Sequence, residues 1–201
     1  MKDWTGGEKS IFVTHGASNH SDSERADLDY YATPAEAVEK LLFAESYSFS
    51  HNILEPACGG CHISKVLAEH GFDVVSYDII HRGAEQQTGI QDFLKYNPQL
   101  HNKRDIITNP PYKYATEFAE HALDISGDKV KVAMFLKLTF LEGGKRKRLF
   151  DKYPPVRIYV FRNRIDCWKN GIKPEKESKA VCYAWFVWEK GYSGRPQIHW
   201  I

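Results

Sequence analysis

The chain has 201 residues, 42% hydrophobic and 26% charged, with 14 Gly, 9 Pro, 4 Cys and a formal net charge of +1, the composition of one ordinary globular domain rather than of a disordered, collagenous or coiled-coil chain. No apolar run reaches the roughly 20 residues of a membrane helix, the opening Met1–Gly7 stretch lacks the apolar segment of a signal peptide, and four scattered cysteines make no disulfide framework, so the expectation is a cytoplasmic protein with no membrane partner. The charge is divided unevenly: residues 1–100 carry 7 Lys+Arg against 15 Asp+Glu, and residues 101–201 carry 20 against 11.

Residues 1–30 are polar, rich in Gly, Ser, Asn and Asp, and show no sustained period; they read as an N-terminal arm, with a short strand at Ser10–Thr14. The body then runs over 31–201 as a single domain. A helix opens at Thr33-Pro34, with Thr33 as N-cap, Pro34 at the first helical position and Ala37, Val38, Leu41 and Leu42 on one face. Strand and helix then alternate. Asn52–Glu55 is a short buried-type strand, Ile63–His70 a helix closed by Gly71, and Phe72–Ile79 a strand. Asp105–Thr108 is a strand followed by a helix over Ala115–Ile125. Lys131–Phe140 is a long strand, and Gly144–Tyr153 a basic helix stopped by Pro154-Pro155. Two more strands, Val156–Phe161 and Ala180–Glu189, flank a polar loop at Asn163–Lys179. This order predicts an α/β fold: a mainly parallel sheet with helices on both faces and an antiparallel hairpin at its end.

Two segments carry chemistry. In the first, the strand ending at Glu55 runs through Pro56-Ala57-Cys58-Gly59-Gly60-Cys61 into a helix. Such a corner lets backbone approach a ligand closely, and in a doubly wound sheet it lies at the carboxyl edge where ligands bind. Asp78, at the end of the next strand, sits where a carboxylate can hold a ribose diol. The bland alternative is a tight turn that binds nothing. In the second segment, the strand at 105–108 delivers Asn109, followed by Pro110, Pro111 and Tyr112. The prolines fix the backbone and carry no N–H, so an amide oxygen from Asn109 and the Pro110 carbonyl can converge on one exocyclic amino group, with Tyr112 offering a π-face to a planar base. A proline-stiffened junction would explain the prolines but not the flanking Asn and Tyr.

Together these residues resemble the S-adenosylmethionine-dependent DNA adenine N6-methyltransferases with an Asn-Pro-Pro-Tyr motif, in the gamma-type order with cofactor motifs first. Gly16–Ser21, Tyr30–Pro34 and Ala184–Trp188 look like small phage and prophage members of that family. The resemblance implies a Rossmann-like class I methyltransferase fold with a seven-stranded sheet. It implies S-adenosylmethionine as cofactor, S-adenosylhomocysteine as product and no metal. It also implies that Tyr31, Thr33 and Pro34 hold the methionine end of the cofactor. Glu55, Ala57 and Gly59 would form the cofactor loop, Asp78 would bind the ribose, and Asp92 and Phe93 would meet the adenine. Asn109, Pro110, Pro111 and Tyr112 would hold a flipped target base. One position departs from the family pattern: where the loop usually carries a second glycine, this chain has Cys61. A side chain at a position that calls for φ > 0 or close cofactor approach is expected to weaken cofactor binding, with Gly60 absorbing part of the strain. Cys58-x-x-Cys61 with His62 also has the spacing of a redox pair or half a zinc site, but Cys167 and Cys182 stand alone.

The resemblance covers about residues 16–200, nearly the whole chain, so no separate target-recognition domain is expected. Between residues 144 and 173, ten Lys and Arg face only Asp151 and Asp166, an excess that suits a polyanion unless it is simply a solvated face. Lys145, Arg146, Arg148, Arg164 and Lys169 are the candidate phosphate contacts. Trp168 is a candidate wedge or stacking residue, unless it packs beneath its own loop. The expected partner is DNA, bound by a monomer or weak dimer in the cytoplasm of a bacterial host, with the arm Ser18–Asp29 as an accessory contact.

Overall fold

Near-continuous apolar strands such as Val132-Ala133-Met134-Phe135-Leu136 are what a sheet covered on both faces requires. The protein, described by a computed structural model over residues 30–95, 103–173, 175 and 181–201, is built around such a sheet. Its elements in chain order are β1 (Tyr31–Ala32), α1 (Ala35–Ala44), β2 (Asn52–Glu55), α2 (His62–Glu69), β3 (Asp73–Asp78), β4 (Gly89–Ile90), β5 (Asp105–Thr108), α3 (Ala115–Ile125), β6 (Lys131–Lys137), α4 (Lys147–Lys152), β7 (Arg157–Val160), β8 (Trp168–Lys169), β9 (Tyr183–Glu189) and β10 (Gln197–Trp200). Of the expected arm at 1–30, all but Tyr30, together with its strand at Ser10–Thr14, lies outside the described residues.

The main sheet has eight strands in the order β10-β7-β9-β6-β5-β2-β3-β4, and β1 and β8 form a separate two-stranded ribbon. β4, β3, β2, β5 and β6 are mutually parallel, whereas β9 is antiparallel to both of its neighbours, β6 and β7. The side-chain alternation of strands sorts the core into two layers. Ile53, Ile107, Phe135 and Trp185 pack under α1 and α2 on one face. Their neighbours Leu54, Ile106, Met134 and Phe186 pack under α3 and α4 on the other. The two late tryptophans are core residues on opposite faces. Trp185 Nε1 donates to the Ala37 carbonyl at 2.7 Å and Trp188 Nε1 to the Tyr153 carbonyl at 3.0 Å.

Several sequence expectations shift. The hairpin partner β9 is not terminal: six of its seven residues are buried, so it belongs in the middle of the sheet, between β6 and β7. The outermost place goes to β10, all four of whose residues are exposed and which pairs parallel to β7. This and the two-residue β4 raise the strand count above the seven expected. β6 ends at Lys137 and passes into a 3-10 turn, Leu138–Leu141, and the basic helix is split into a 3-10 turn, Gly144–Arg146, and α4. Thr33 does not cap α1. Pro34 holds the N-cap position in an extended conformation, with no side-chain cap bond, which releases the Thr33 hydroxyl for another partner.

One ionic knot fixes α1 to the far half of the sheet. Glu45, 1% exposed at its side chain, receives Arg157 at 2.5 and 2.8 Å, Lys131 Nζ at 3.0 Å and the Tyr159 hydroxyl at 2.8 Å. Burial works against its ionised form, but the bonds from Arg157, Lys131 and Tyr159 outweigh it and hold its carboxyl below the ordinary range. Glu45 thus ties residues from three separate stretches of sequence into one buried charge network.

Candidate active site

A cavity of about 530 Å³ opens where the loops after β2, β3 and β5 meet the segment around β1. That volume falls within the roughly 300–1,000 Å³ typical of small-molecule sites, and the carboxyl ends of parallel strands are where such folds bind ligands.

The first wall is the turn from β2 into α2. Gly59 adopts φ +54° and its N–H donates to Asp78 Oδ2 at 2.8 Å. A Cβ at Gly59 would stand 2.7 Å from Cδ2 of the Tyr30 ring and closer still to Cε2, so the position requires glycine twice over, for dihedral and for space. The Gly60 N–H donates to the Tyr30 hydroxyl at 3.1 Å, and Arg82 stacks over the same ring at 4.4 Å. Tyr30 was assigned by sequence to the arm; the structure makes it part of the site's frame, and the paired aromatics Tyr30-Tyr31 ahead of the helix start were the available signal. Gly60 does not relieve the turn. It is Cys61 that takes the left-handed conformation, φ 59°, as the N-cap of α2. A non-glycine residue there costs on the order of 1–2 kcal/mol. Cys58 and Cys61 share a thiol hydrogen bond that raises the Cys58 thiol far out of its usual range and lowers that of Cys61.

Carboxylates line the next wall. Glu55 is buried and accepts the Ser64 N–H at 2.8 Å together with the Ser64 hydroxyl, which in turn lies 2.5 Å from Ser76 Oγ. Burial raises its carboxyl well above the ordinary value. Asp78, at the end of β3, also accepts the Ile80 N–H at 3.3 Å, which aims its carboxylate at the cavity rim. Asp92 accepts the Leu94 N–H at 3.2 Å, and Phe93 packs on Phe118 at 5.1 Å and His121 at 4.9 Å. Of the nine positions expected to hold the cofactor, Tyr31, Thr33, Glu55, Ala57, Gly59, Asp78, Asp92 and Phe93 line the cavity; Pro34 does not.

The third wall follows β5. Asn109 and Pro111 line the cavity, while Pro110 and Tyr112 lie behind it. Both hydrogens of the Asn109 amide are engaged: Nδ2 donates to the Tyr31 carbonyl at 2.9 Å and to Thr33 Oγ1 at 3.0 Å. Since a carbonyl can only accept, this network settles which end of the amide is nitrogen. Tyr112 occupies a more enclosed place than a free stacking platform. Its ring stacks on Tyr31 with centroids 5.7 Å apart and leans on Tyr183 at 6.0 Å, and Lys137 Nζ lies 5.1 Å from its centroid. Burial and the neighbouring Cys167 raise its hydroxyl well above the usual value. The aromatic ring at the cavity rim is Tyr114, 42% exposed, which the sequence reading passed over because it lies just beyond the motif.

The basic segments leave the carboxyl ends of β6 and β7, on the same edge of the sheet as the cavity. Lys145 and Arg148 are exposed, the latter 3.7 Å from Glu120; Arg146 is half-buried over the Phe140 ring at 4.8 Å. Arg164 and Lys169 are exposed as well. Trp168 is not a protruding wedge. It pairs with Ala32 in the ribbon, is half-buried, meets His62 edge-on at 6.2 Å and carries Lys173 Nζ 5.7 Å from its ring. Among the described residues no group of three or more His, Cys, Asp or Glu is arranged to hold a metal ion.

No family model matches the chain, and no curated protein matches it in sequence. Its fold does match solved structures. A class I S-adenosylmethionine-dependent methyltransferase assigned from Listeria monocytogenes superposes with a TM-score of 0.60 at 14% identity over 87% of this chain and 66% of that one. The modification subunit of a type I restriction enzyme assigned from Vibrio vulnificus gives 0.62 at 13% identity, over 86% of this chain and 47% of that one. An RNA methyltransferase assigned from Pyrococcus horikoshii gives 0.59 at 15% identity, over 92% and 99%. The chain therefore spans just under two thirds of the first of these proteins and about half of the second. The fold is the Rossmann-like fold that these methyltransferases share: the order of elements predicted its mainly parallel α/β sheet, and the resemblance implied the rest.

Proposed function

We propose that this protein transfers a methyl group from S-adenosylmethionine to the exocyclic N6 amino group of adenine in DNA, with the base flipped out of the duplex. The observation that carries the reading is the state of Asn109. With both amide hydrogens given to Tyr31 in β1 and to Thr33 just after it, the side chain can offer the cavity only its oxygen, and an oxygen acceptor is suited to a substrate that presents N–H.

The cavity fits the cofactor. Asp78 would accept from the ribose hydroxyls, Asp92 from the adenine amino group, Phe93 would pack on the purine, and Tyr31 would border the methionine end, with the Thr33 hydroxyl turned away to Asn109. When bound, S-adenosylmethionine supplies an electrophilic methyl group on a sulfonium. The rest is the work of the chain. Asn109 Oδ1 accepts a hydrogen of the amino group, drawing the nitrogen toward a pyramidal shape and freeing its lone pair from the ring. Tyr112, braced by Tyr31 and Tyr183, supports the base from behind, and Tyr114 guards the entrance. Holding the nitrogen in line with the methyl group contributes by proximity, and the oriented acceptor by electrostatics. A base inside a duplex cannot reach such a recess, so flipping is required.

The basic segments around Lys145–Arg148 and Arg164–Lys169 favour a polyanionic substrate. A type I restriction modification subunit among the structural neighbours favours DNA, although an RNA methyltransferase assignment stands beside it. The test is transfer of labelled methyl to double-stranded DNA, single-stranded DNA, RNA and protein, with digestion and identification of the product. N6-methyladenine in DNA is the expected product. Asn109→Ala is expected to lower turnover about 10²–10³-fold with cofactor binding intact. Label recovered in RNA or protein alone, or an Asn109→Ala variant of undiminished rate, would overturn the assignment.

A further inference from the structure

Thr33 stands at the sequence position expected to border the cofactor, yet its hydroxyl is spent elsewhere. It is 2% exposed, it does not cap α1, and its Oγ1 takes a hydrogen from the Asn109 amide at 3.0 Å. The second amide hydrogen goes to the Tyr31 carbonyl at 2.9 Å. Turning the amide over would lose the bond to Tyr31 and set Oδ1 against its carbonyl oxygen with no donor between the two atoms; the Thr33 hydroxyl could turn to donate to Oδ1, but the repulsion at Tyr31 would remain.

The strand that supplies these acceptors is itself held from outside. β1 is paired with β8 in the register Tyr31↔Lys169 and Ala32↔Trp168, and the Asn170 N–H donates to the Tyr30 carbonyl at 3.1 Å. A residue 76 positions away in sequence thus sets the orientation of Asn109.

We propose that Thr33 is a positioning residue whose hydroxyl, together with the Tyr31 carbonyl, locks Asn109 as a pure acceptor toward the substrate amino group. The mechanistic part rests on the methyl-transfer reading above; the lock itself does not. Its loss leaves the amide free to turn, so that the fraction of molecules with Oδ1 correctly placed falls and turnover falls with it, while the affinity for cofactor and DNA is kept.

The experiment compares Thr33→Val, which keeps shape and removes the hydroxyl, with Thr33→Ser, which keeps the hydroxyl. In the free protein, the two side-chain amide protons of Asn109 are identified by NMR through their absence in Asn109→Asp. The proton facing residue 33 is expected to exchange slowly with solvent in the wild type and in Thr33→Ser, and at least tenfold faster in Thr33→Val. In the methyl-transfer assay, Thr33→Val is expected to lower kcat about tenfold or more, with KM for DNA and the Kd for S-adenosylhomocysteine within threefold of wild type. Thr33→Ser is expected to recover kcat to within threefold. Equal exchange rates in all three proteins would overturn the lock. A cofactor Kd that weakens in step with the loss of kcat would overturn it too, making Thr33 a cofactor contact. Altered exchange in a protein that methylates no substrate would uphold the lock and refute the methyl-transfer reading instead.

Discussion

Gly59→Ala isolates the feature on which the cofactor turn depends. Two costs add at this position. A residue with a Cβ at φ +54° pays on the order of 1–2 kcal/mol for the left-handed conformation. The new methyl also meets the Tyr30 ring, at 2.7 Å from Cδ2, which no real Cβ tolerates. If the ring yields, it gives up its hydroxyl bond to Gly60, about 1 kcal/mol, and its stacking with Arg82, about 0.5–1 kcal/mol. The single variant is therefore expected to lose about 3 kcal/mol, or roughly 6–12 °C in Tm for a chain of this size. Tyr30→Ala alone forfeits the same bond and stacking, so the double variant should be less damaged than the two singles combined, by about 1.5–2 kcal/mol. Denaturant titration of the four proteins measures that coupling, and cofactor titration reports whether the turn has moved. Strictly additive losses, or a Gly59→Ala protein within 0.5 kcal/mol of wild type, would refute the account of why this residue is glycine.

Further outcomes follow from other parts of the structure. Glu45 has its folded-state carboxyl lowered from an ordinary 4.5, so its stabilisation is complete above that value and is lost as pH falls through the folded value; Glu45→Gln should cost about 3 kcal/mol at pH 7 and flatten the fall of denaturant midpoints as pH drops below that ordinary value. Tyr112→Phe should keep turnover within about threefold, because the hydroxyl contacts Tyr183 and, at 3.9 Å, Cys167 Sγ rather than the cavity, whereas Tyr112→Ala should abolish turnover and Tyr114→Ala should chiefly raise KM in steady-state assays. Trp168→Ala should lower Tm and cofactor affinity by loosening the ribbon without changing the salt dependence of DNA binding. Lys145→Ala and Arg148→Ala should each reduce the slope of log K against log salt by about 1, read from binding isotherms at several salt concentrations.

The parts of the fold legible in the sequence are those set by local pattern. α3 falls at Ala115–Ile125, and β2 and β5 at 52–55 and 105–108, as read, because apolar periods and proline or glycine stops specify them without outside help. β10 escaped because Gln197-Ile198-His199-Trp200 is a short polar-apolar alternation whose strand character comes from pairing with β7. The ribbon of β1 and β8 escaped for a related reason: two residues on each side leave no period, and their partners lie more than a hundred residues apart. In the site, the acids and glycines that line the cavity were visible as a motif. Thr33 was misread as a cap because a threonine ahead of a helix ordinarily is one; what redirected it was a buried amide delivered from β5. Trp168 was ambiguous in sequence since a tryptophan in a basic loop fits either a wedge or a prop, and only the position of His62 decides between them.

The placement of β9 bears on how the chain can be made. It is synthesised after both β6 and β7, yet it lies between them and supplies Trp185 and Trp188 to opposite faces of the core. Until residue 189 has left the ribosome, β6 and β7 have no strand between them and the apolar floor beneath α1 and α4 is missing its centre. At roughly 5–20 residues per second the earlier strands spend seconds in that state. Vectorial synthesis therefore yields no stable intermediate for the far half of the sheet. A chain stopped short of β9 also lacks β10, so it leaves one edge of β6 and both edges of β7 unpaired instead of forming a smaller folded protein.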